Sequence, residues 1–218
     1  IYSRESRSNL DMLIRKERPD IVHLHIFHGS ITSSILPILA RYDLPVLMTV
    51  HEYRRLCPVS LLLNNQNIIC QKCGGRYYYH CILGKCYKGQ LAYSLIAAIE
   101  TYIRDSLFSF DAIIDKFIMV SDFILNKHAE LLPHLRNKFV RLYNFLRLEE
   151  YVPSFTPGDY YLYFGRISRE KGMLTLLKAW ERYSGKKLVI AGKGDYLPEV
   201  VKLIEELSLD NVHLTGYV

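Results

Sequence analysis

Short β-branched runs alternate with segments of helical period along this sequence, and that alternation restricts the fold more than any other feature in it. Residues 20–27, DIVHLHIF, are followed by the apolar-periodic SITSSILPILARY and then by PVLMTV at 45–50, which together read as a βαβ unit. Further on, LAYSLIAAIETYIRDSLF sets Leu91, Leu95, Ala98, Ile99 and Tyr102 at helical spacing, ahead of KFIMV, the helix DFILNKHAELL and the strand KFVRLY. Strands alternating with helices predict a parallel sheet covered on both faces. Two prolines and a glycine punctuate VPSFTPGD at 152–159, and a linker is expected there. The alternation then restarts with YYLYFG, GMLTLLKAWERY, KLVIAG, YLPEVVKLIEELS and VHLTGY.

The expected class is therefore α/β with two Rossmann-like domains, the second truncated. The expected boundaries are 1–152 with a cysteine-rich insertion at about 54–90, a linker at 153–158, and the start of a second domain at 159–218. Half of the 218 residues are hydrophobic and 23% are charged, which suits a globular chain with a sizeable core. The chain opens on Ile1 and a polar run, without a secretory pattern, and no stretch reaches the ~18 apolar residues of a spanning helix. It reads as cytoplasmic, as a piece of something longer, and without a solenoid repeat.

The formal net charge of +6 is unevenly placed. Between Glu52 and Glu100 there is no acidic residue, whereas Arg54, Arg55, Lys72, Arg76, Lys85 and Lys88 fall inside that window among Tyr77, Tyr78, Tyr79 and Tyr87. Such a segment is either a solvated loop or a face for nucleic acid, an anionic membrane surface or a phosphorylated substrate.

In open parallel sheets ligands bind beyond the carboxyl ends of the strands. The residues there are His51 and Glu52, Ser121, Asn144, Gly165 and Arg166, Gly192 to Gly194, and Tyr217 and Val218. FGRISREKG is the richest of these stretches. Gly165 admits close backbone approach, Arg166 offers a planar fork for phosphate oxygens, and Lys171 adds a point charge as the next helix begins. Together they make a metal-free diphosphate clamp; the alternative is two solvated cations in a loop. His51 is a sugar-site candidate or a hydrogen-bonded core histidine.

The order HEYRRLCP, MVSDF, LYNF, YFGRISREKGMLTLLKAW, LVIAGKGD and VHLTGYV resembles retaining glycosyltransferases of family GT4, whose two Rossmann-like domains form the GT-B arrangement. The resemblance implies a hexosyltransferase that moves a sugar from a UDP- or GDP-sugar to a glycan or lipid-linked acceptor, the chemistry of cell-surface polysaccharide biosynthesis. It implies that Arg166 and Lys171 hold the diphosphate and stabilise the leaving group, with His51 beside the donor sugar. Gly165, Gly192, Gly194, Tyr217, Val218, Ser121 and Asn144 would complete the donor site. The family's Glu-x7-Glu element and its N-terminal glycine-rich loop are not found here, so the piece alone is expected to be inactive. After Asn144 this chain has Phe145, Leu146 and Arg147 where many members have Gly, an aliphatic residue and Asp.

Cys70 and Cys73 form a C-x2-C pair, and Cys81 and Cys86 follow after seven and four intervening residues. Four thiolates at such spacing suit one structural Zn(II); free thiols and redox or iron–sulfur use are the alternatives. Some members of the resembled family have a similar cysteine-rich insertion. Cys57 is read as the spare and His80 as a substitute ligand. A stapled, basic, tyrosine-rich lobe would suit a lipid-diphosphate acceptor or peripheral contact at the inner face of an anionic membrane. The competing class is a non-catalytic, zinc-stabilised module that binds nucleotide or nucleic acid. A dinucleotide-dependent oxidoreductase is disfavoured, because no G-x-G-x-x-G follows a first strand.

Overall fold

The computed structural model describes residues 2–28, 31–183 and 185–218, and the chain divides into two compact units, Ile1–Leu146 and Arg147–Val218. The division falls ahead of the expected linker. Residues 142–159 hold one 3-10 turn, Leu148–Glu150, and otherwise no regular structure.

The first unit opens with α1, Arg4–Glu17, a helix that the strand–helix reading did not include. Its start is set by Ser3, whose Oγ accepts the Ser6 N–H at 3.1 Å, and its end by Arg18, left-handed, whose N–H returns to the Ile14 carbonyl. Leu10 and Ile14 turn its apolar stripe onto the core. Strand β1 is short, Val22–Leu24, because residues 25–28 leave the ladder and pairing with the next strand stops at Leu24 opposite Met48. A 3-10 turn at Ser33–Ile35 leads into α2, Leu36–Tyr42, and then β2, Val46–Val50.

The insertion follows, holding a 3-10 turn at Gly74–Arg76 and α3, Tyr79–Leu83. Helix α4, Leu91–Tyr102, runs without a break into a π-helical turn, Ile103–Leu107, before α5, Phe110–Ile113. Strand β3, Lys116–Met119, α6, Asp122–Leu131, and β4, Phe139–Arg141, complete the unit. The sheet is parallel throughout in the order β1-β2-β3-β4. Central β2 buries Val46, Met48 and Val50 on one face and Thr49 on the other, as expected of a strand covered on both sides. Leu36, Leu39, Phe110, Phe117 and Met119 pack around it, each fully buried side chain contributing about 2 kcal/mol.

The second unit is a three-stranded parallel sheet, order β5-β6-β7, with two helices. Its elements are β5, Tyr160–Phe164, α7, Met173–Trp180, β6, Lys187–Ala191, α8, Leu197–Glu206, and β7, Val212–Gly216. Met173, Leu177, Trp180, Leu188, Ile190 and Val200 make a separate core. On β5, Tyr161, itself exposed, meets the Trp180 ring edge-on at 5.3 Å, and Tyr160, Leu162 and Phe164, on the alternate side, are exposed as well. Both units are thus Rossmann-like α/β layers. Among the described residues, no helix is long and apolar enough to cross a membrane.

Candidate functional site

In the second unit the strand ends are joined through their backbones. Gly165 N–H donates to the Ala191 carbonyl at 3.0 Å, Ile167 N–H to that of Lys193 at 3.0 Å, and Gly192 N–H to that of Gly216 at 2.7 Å. The approach is so close that glycine is required at two positions. A Cβ at Gly192 would run into the Gly165 carbonyl oxygen, and one at Gly194 into that of Ile167; Gly192 also has φ +153°. Over this floor lies an open cavity of about 760 Å³, lined by residues of all three strand ends.

That cavity brings together six of the expected donor-site residues: Gly165, Arg166, Gly192, Gly194, Tyr217 and Val218. It adds Lys193, which lies inside the strand-end stretch Gly192 to Gly194 but is not among the expected donor-site residues. The Lys193 ammonium lies 4.5 Å from the centroid of the Tyr217 ring, a cation–π contact. Arg166 comes no nearer an acid than 4.0 Å from Asp195, and both side chains are mostly exposed, so that pair holds neither in place. Lys171 is not among the lining residues. It closes the 3-10 turn Arg169–Lys171 and is exposed. The arrangement offers two mobile cations above a rigid backbone floor, which suits an anionic ligand with an extended body.

The remaining candidates belong to the first unit. Ser121 caps α6, its Oγ accepting the Ile124 N–H at 3.2 Å, so its hydroxyl already has a structural partner. Asn144 is exposed in the irregular segment after β4. His51, just past β2, shares a 2.9 Å hydrogen bond between its Nε2 and the Nδ1 of His25. His25 was missed by the sequence reading. The signal was the alternation in HLHIF, since residues two apart share a strand face, and the His23 and His25 rings do lie 4.4 Å apart. Burial, then the adjacent His25, lower the His51 pKa, with Glu52 opposing them, so His51 is neutral near pH 7.

The cysteines and the basic window need correction. Cys73 and Cys81 are buried with Tyr78 and Ala98 in a small core of their own, Cys57 is buried beside Leu62, and Cys70 and Cys86 are half-buried free thiols. Burial pushes the Cys73 thiol up to about 12 and raises Cys81 as well. Among the described residues no group of three or more His, Cys, Asp or Glu side chains is placed to hold a metal ion. The zinc expected at Cys70, Cys73, Cys81 and Cys86 therefore finds no support in this geometry.

The described fastening of the insertion is ionic. Arg55, 3% exposed, donates to Asp105 at 2.6 Å and also to Asp111; Arg104, fully buried, donates to Asp105 at 2.8 Å. Tyr78 gives its hydroxyl proton to the other Asp105 oxygen at 2.5 Å, and Arg76 reaches Asp111 at 2.7 Å. Burial works to raise the Asp105 pKa, but Arg55 and Arg104 outweigh it and hold the carboxyl below its usual range. Arg54 is paired with Glu52 at 3.1 Å. Three of the six cations in the acid-free window are thus matched by carboxylates, and only Lys72, Lys85 and Lys88 are without an ion-pair partner among the described residues.

Residues 150–218 match the family described as Glycosyl transferases group 1. Over 212 residues the chain is 26% identical to an uncharacterized glycosyltransferase of Methanocaldococcus jannaschii, covering 94% of this chain and 47% of the relative. Among solved structures it is similar to a glycosyltransferase from Rickettsia africae, with 18% identity, TM-score 0.55, and 98% and 51% of the two chains covered. It is also similar to the Anabaena protein HepE in complex with UDP, with 14% identity, TM-score 0.58, and 97% and 51% covered. The chain spans about half the length of these relatives. The second unit thus carries a Glycosyl transferases group 1 match, and the chain as a whole shares the two-unit parallel α/β fold of glycosyltransferases.

Proposed function

We propose that this chain is part of a retaining glycosyltransferase of the GT4 type and that its second unit holds the nucleotide-sugar donor. The observation that carries this reading is the strand-end cavity, where Arg166 and Lys193 stand unlocked over a backbone floor that admits no side chain at Gly192 or Gly194. Breaking the bond between the sugar C1 and the diphosphate oxygen leaves both electrons on that oxygen. Cations brought against that oxygen stabilise the charge it gains without a metal. Arg166 takes this role with Lys193, Lys171 adds positive charge from the following turn, and Tyr217 and Val218 flank the base. The acceptor hydroxyl bonds to C1 on the face the diphosphate leaves and passes its proton to the departing oxygen. The sugar is a hexose carried on UDP or GDP, and the acceptor is a glycan or lipid-linked chain of cell-surface polysaccharide synthesis. In the first unit the neutral His51 ring has its Nε2 engaged by His25, and the family resemblance alone supports a sugar-site role for it.

A nucleic-acid-binding module is the weaker reading, because the basic window that suggested it is half neutralised within the fold. Calorimetric titration of the chain with UDP and GDP tests the donor site. One of them should bind more tightly than its nucleoside, and Arg166→Ala should weaken it about ten- to a hundredfold, since a hydrogen bond to a charged group is worth about 1.5–3 kcal/mol. Equal affinity of diphosphate and nucleoside, or an Arg166→Ala variant that binds like wild type, would overturn the assignment.

A further inference from the structure

Along one row of α1 the sequence sets Arg4, Arg7, Ser8 and Asp11 at i, i+3, i+4 and i+7. Together with Tyr2 ahead of the helix and Ile38 and Arg41 of α2, this row lines an open groove of about 490 Å³. The charged residues in its lining are three arginines and one carboxylate. That carboxylate is already committed: Asp11 accepts the Tyr42 hydroxyl at 2.9 Å and pairs with Arg15 at 2.9 Å, and Arg41 stands 3.6 Å from it. The Arg4 guanidinium has neither a hydrogen-bond nor an ion-pair partner among the described residues.

Two features set this groove apart from ordinary surface charge. Arg4 and Arg7 stand in the opening turns of α1, where the free N–H groups carry the positive end of the helix dipole and cations are disfavoured. Arg7 is also held by a neutral group: its Nη1 donates to the Tyr2 hydroxyl at 2.6 Å, and the Tyr2 ring in turn lies 6.4 Å from that of Phe108. A hydroxyl fixes the direction of a guanidinium without cancelling its charge, whereas a carboxylate does both. Crowded arginines at the positive end of a helix leave a potential that an anion relieves and a neutral ligand does not. Planar guanidinium forks match phosphate oxygens, and the Ser8 hydroxyl lines the groove beside them. Along α1 the lining ends at Asp11, whose charge turns away a longer polyanion. The groove therefore suits a compact phosphate or diphosphate rather than a polymer.

We propose that the groove between α1 and α2 binds a small soluble phosphate-bearing molecule, its phosphate oxygens held by Arg4, Arg7 and Arg41. The groove lies wholly within Ile1–Leu146 and does not depend on the donor reading. Titration of the chain with inorganic pyrophosphate, followed by NMR at the backbone amides, tests it. The amides of residues 4–11 and 38–41 should shift saturably, and they are read separately from those of Gly165 and Gly192 to Gly194 in the other unit. Arg4→Gln and Arg7→Gln should each weaken binding at the groove by about tenfold, the scale of one hydrogen bond to a charged group. Tyr2→Phe, which frees Arg7 but keeps its charge, should weaken it by about threefold. Without ligand both arginine variants should melt no lower than wild type, because each removes a cation from the positive end of a helix, and pyrophosphate should raise the wild-type melting temperature more than theirs. The absence of a saturable shift at these amides would overturn the proposal, as would binding indifferent to Arg4→Gln and Arg7→Gln. Equal shifts from sodium chloride at the same ionic strength would overturn it too, reducing the effect to screening.

Discussion

Arg55 and Arg166 each follow a parallel strand within a few residues, β2 in one unit and β5 in the other, yet they live in opposite circumstances. Arg55 is 3% exposed and is shared by Asp105 and Asp111, with the Phe110 ring 4.8 Å beneath its guanidinium. Arg166 is mostly exposed, and among the described residues its one ion-pair partner is Asp195 at 4.0 Å. The first is desolvated and spoken for; the second keeps its charge available to a ligand. Positive charge after a strand is therefore no sign of an anion site until its partners are counted, and here the counting separates a fastening from a candidate clamp.

The largest effect that bears on this contrast is expected at Asp105. Asp105→Ala leaves Arg55 and Arg104 buried without their shared counter-charge and should destabilise the first unit by about 3–5 kcal/mol in urea unfolding. Arg166→Ala should stay within about 0.5 kcal/mol in the same measurement. If the two substitutions cost alike, the difference between the regions is one of appearance only.

Acid should distinguish the units next. His128 is 1% exposed between Tyr53 and Phe139, with Nδ1 bonded to the Ile124 carbonyl oxygen at 2.8 Å, and burial lowers its pKa to about 4. Below the unfolded value of 6.5 the unfolded chain binds a proton that the folded one refuses, so stability falls as pH drops from about 6.5 to about 4. This single site accounts for about 3 kcal/mol of that loss. His28, lowered to about 2 by burial and then by Arg104, extends the fall, and Asp105 adds its own loss below pH 3.8. In the second unit the described buried polar side chains reduce to Ser168, which does not titrate. Acid should therefore melt the first unit first. A melt followed by Trp180 fluorescence, which reports the second unit, that precedes loss of the first would break the comparison.

The smallest effect is expected at Lys193. Lys193→Ala should weaken diphosphate binding by roughly tenfold and leave the melting temperature unchanged, since among the described residues its ammonium has the exposed Tyr217 ring as its partner and no ion pair. Unchanged affinity would return the clamp to Arg166 and Lys171.

The strand–helix alternation carried most of the topology, because runs such as LMTV and LVIA are apolar on both sides and flanked by helical periods that leave little choice. Pairing was not legible in the same way. The acid-free window looked uncompensated along the chain, but Arg55 finds Asp105 fifty residues away and Arg76 finds Asp111 thirty-five away. Linear charge counts cannot see such partners. Helix α4 shows the same limit for apolar residues: the period announced a helix, but which arc faces inward was decided by the close approach that Ala98 and Ser94 permit. Helix α1 escaped because its polar start masks a cap at Ser3 and only Leu10 and Ile14 mark its inner face. Of the donor site, the glycines and Arg166 could be read from strand ends, whereas Lys193, in the same stretch, gained a role only once three loops met.

The backbone bonds that knit Gly165, Ile167 and Gly192 to the neighbouring strand ends have a kinetic consequence. A floor held on three sides by main-chain hydrogen bonds has no hinge of its own, so what adjusts to an arriving ligand inside this unit is the rotamers of Arg166 and Lys193, which change in picoseconds to nanoseconds. Encounter then needs no slow rearrangement of these loops. Association with the second unit should be governed by diffusion and ionic strength, and variants of the two cations should differ chiefly in how long the ligand stays.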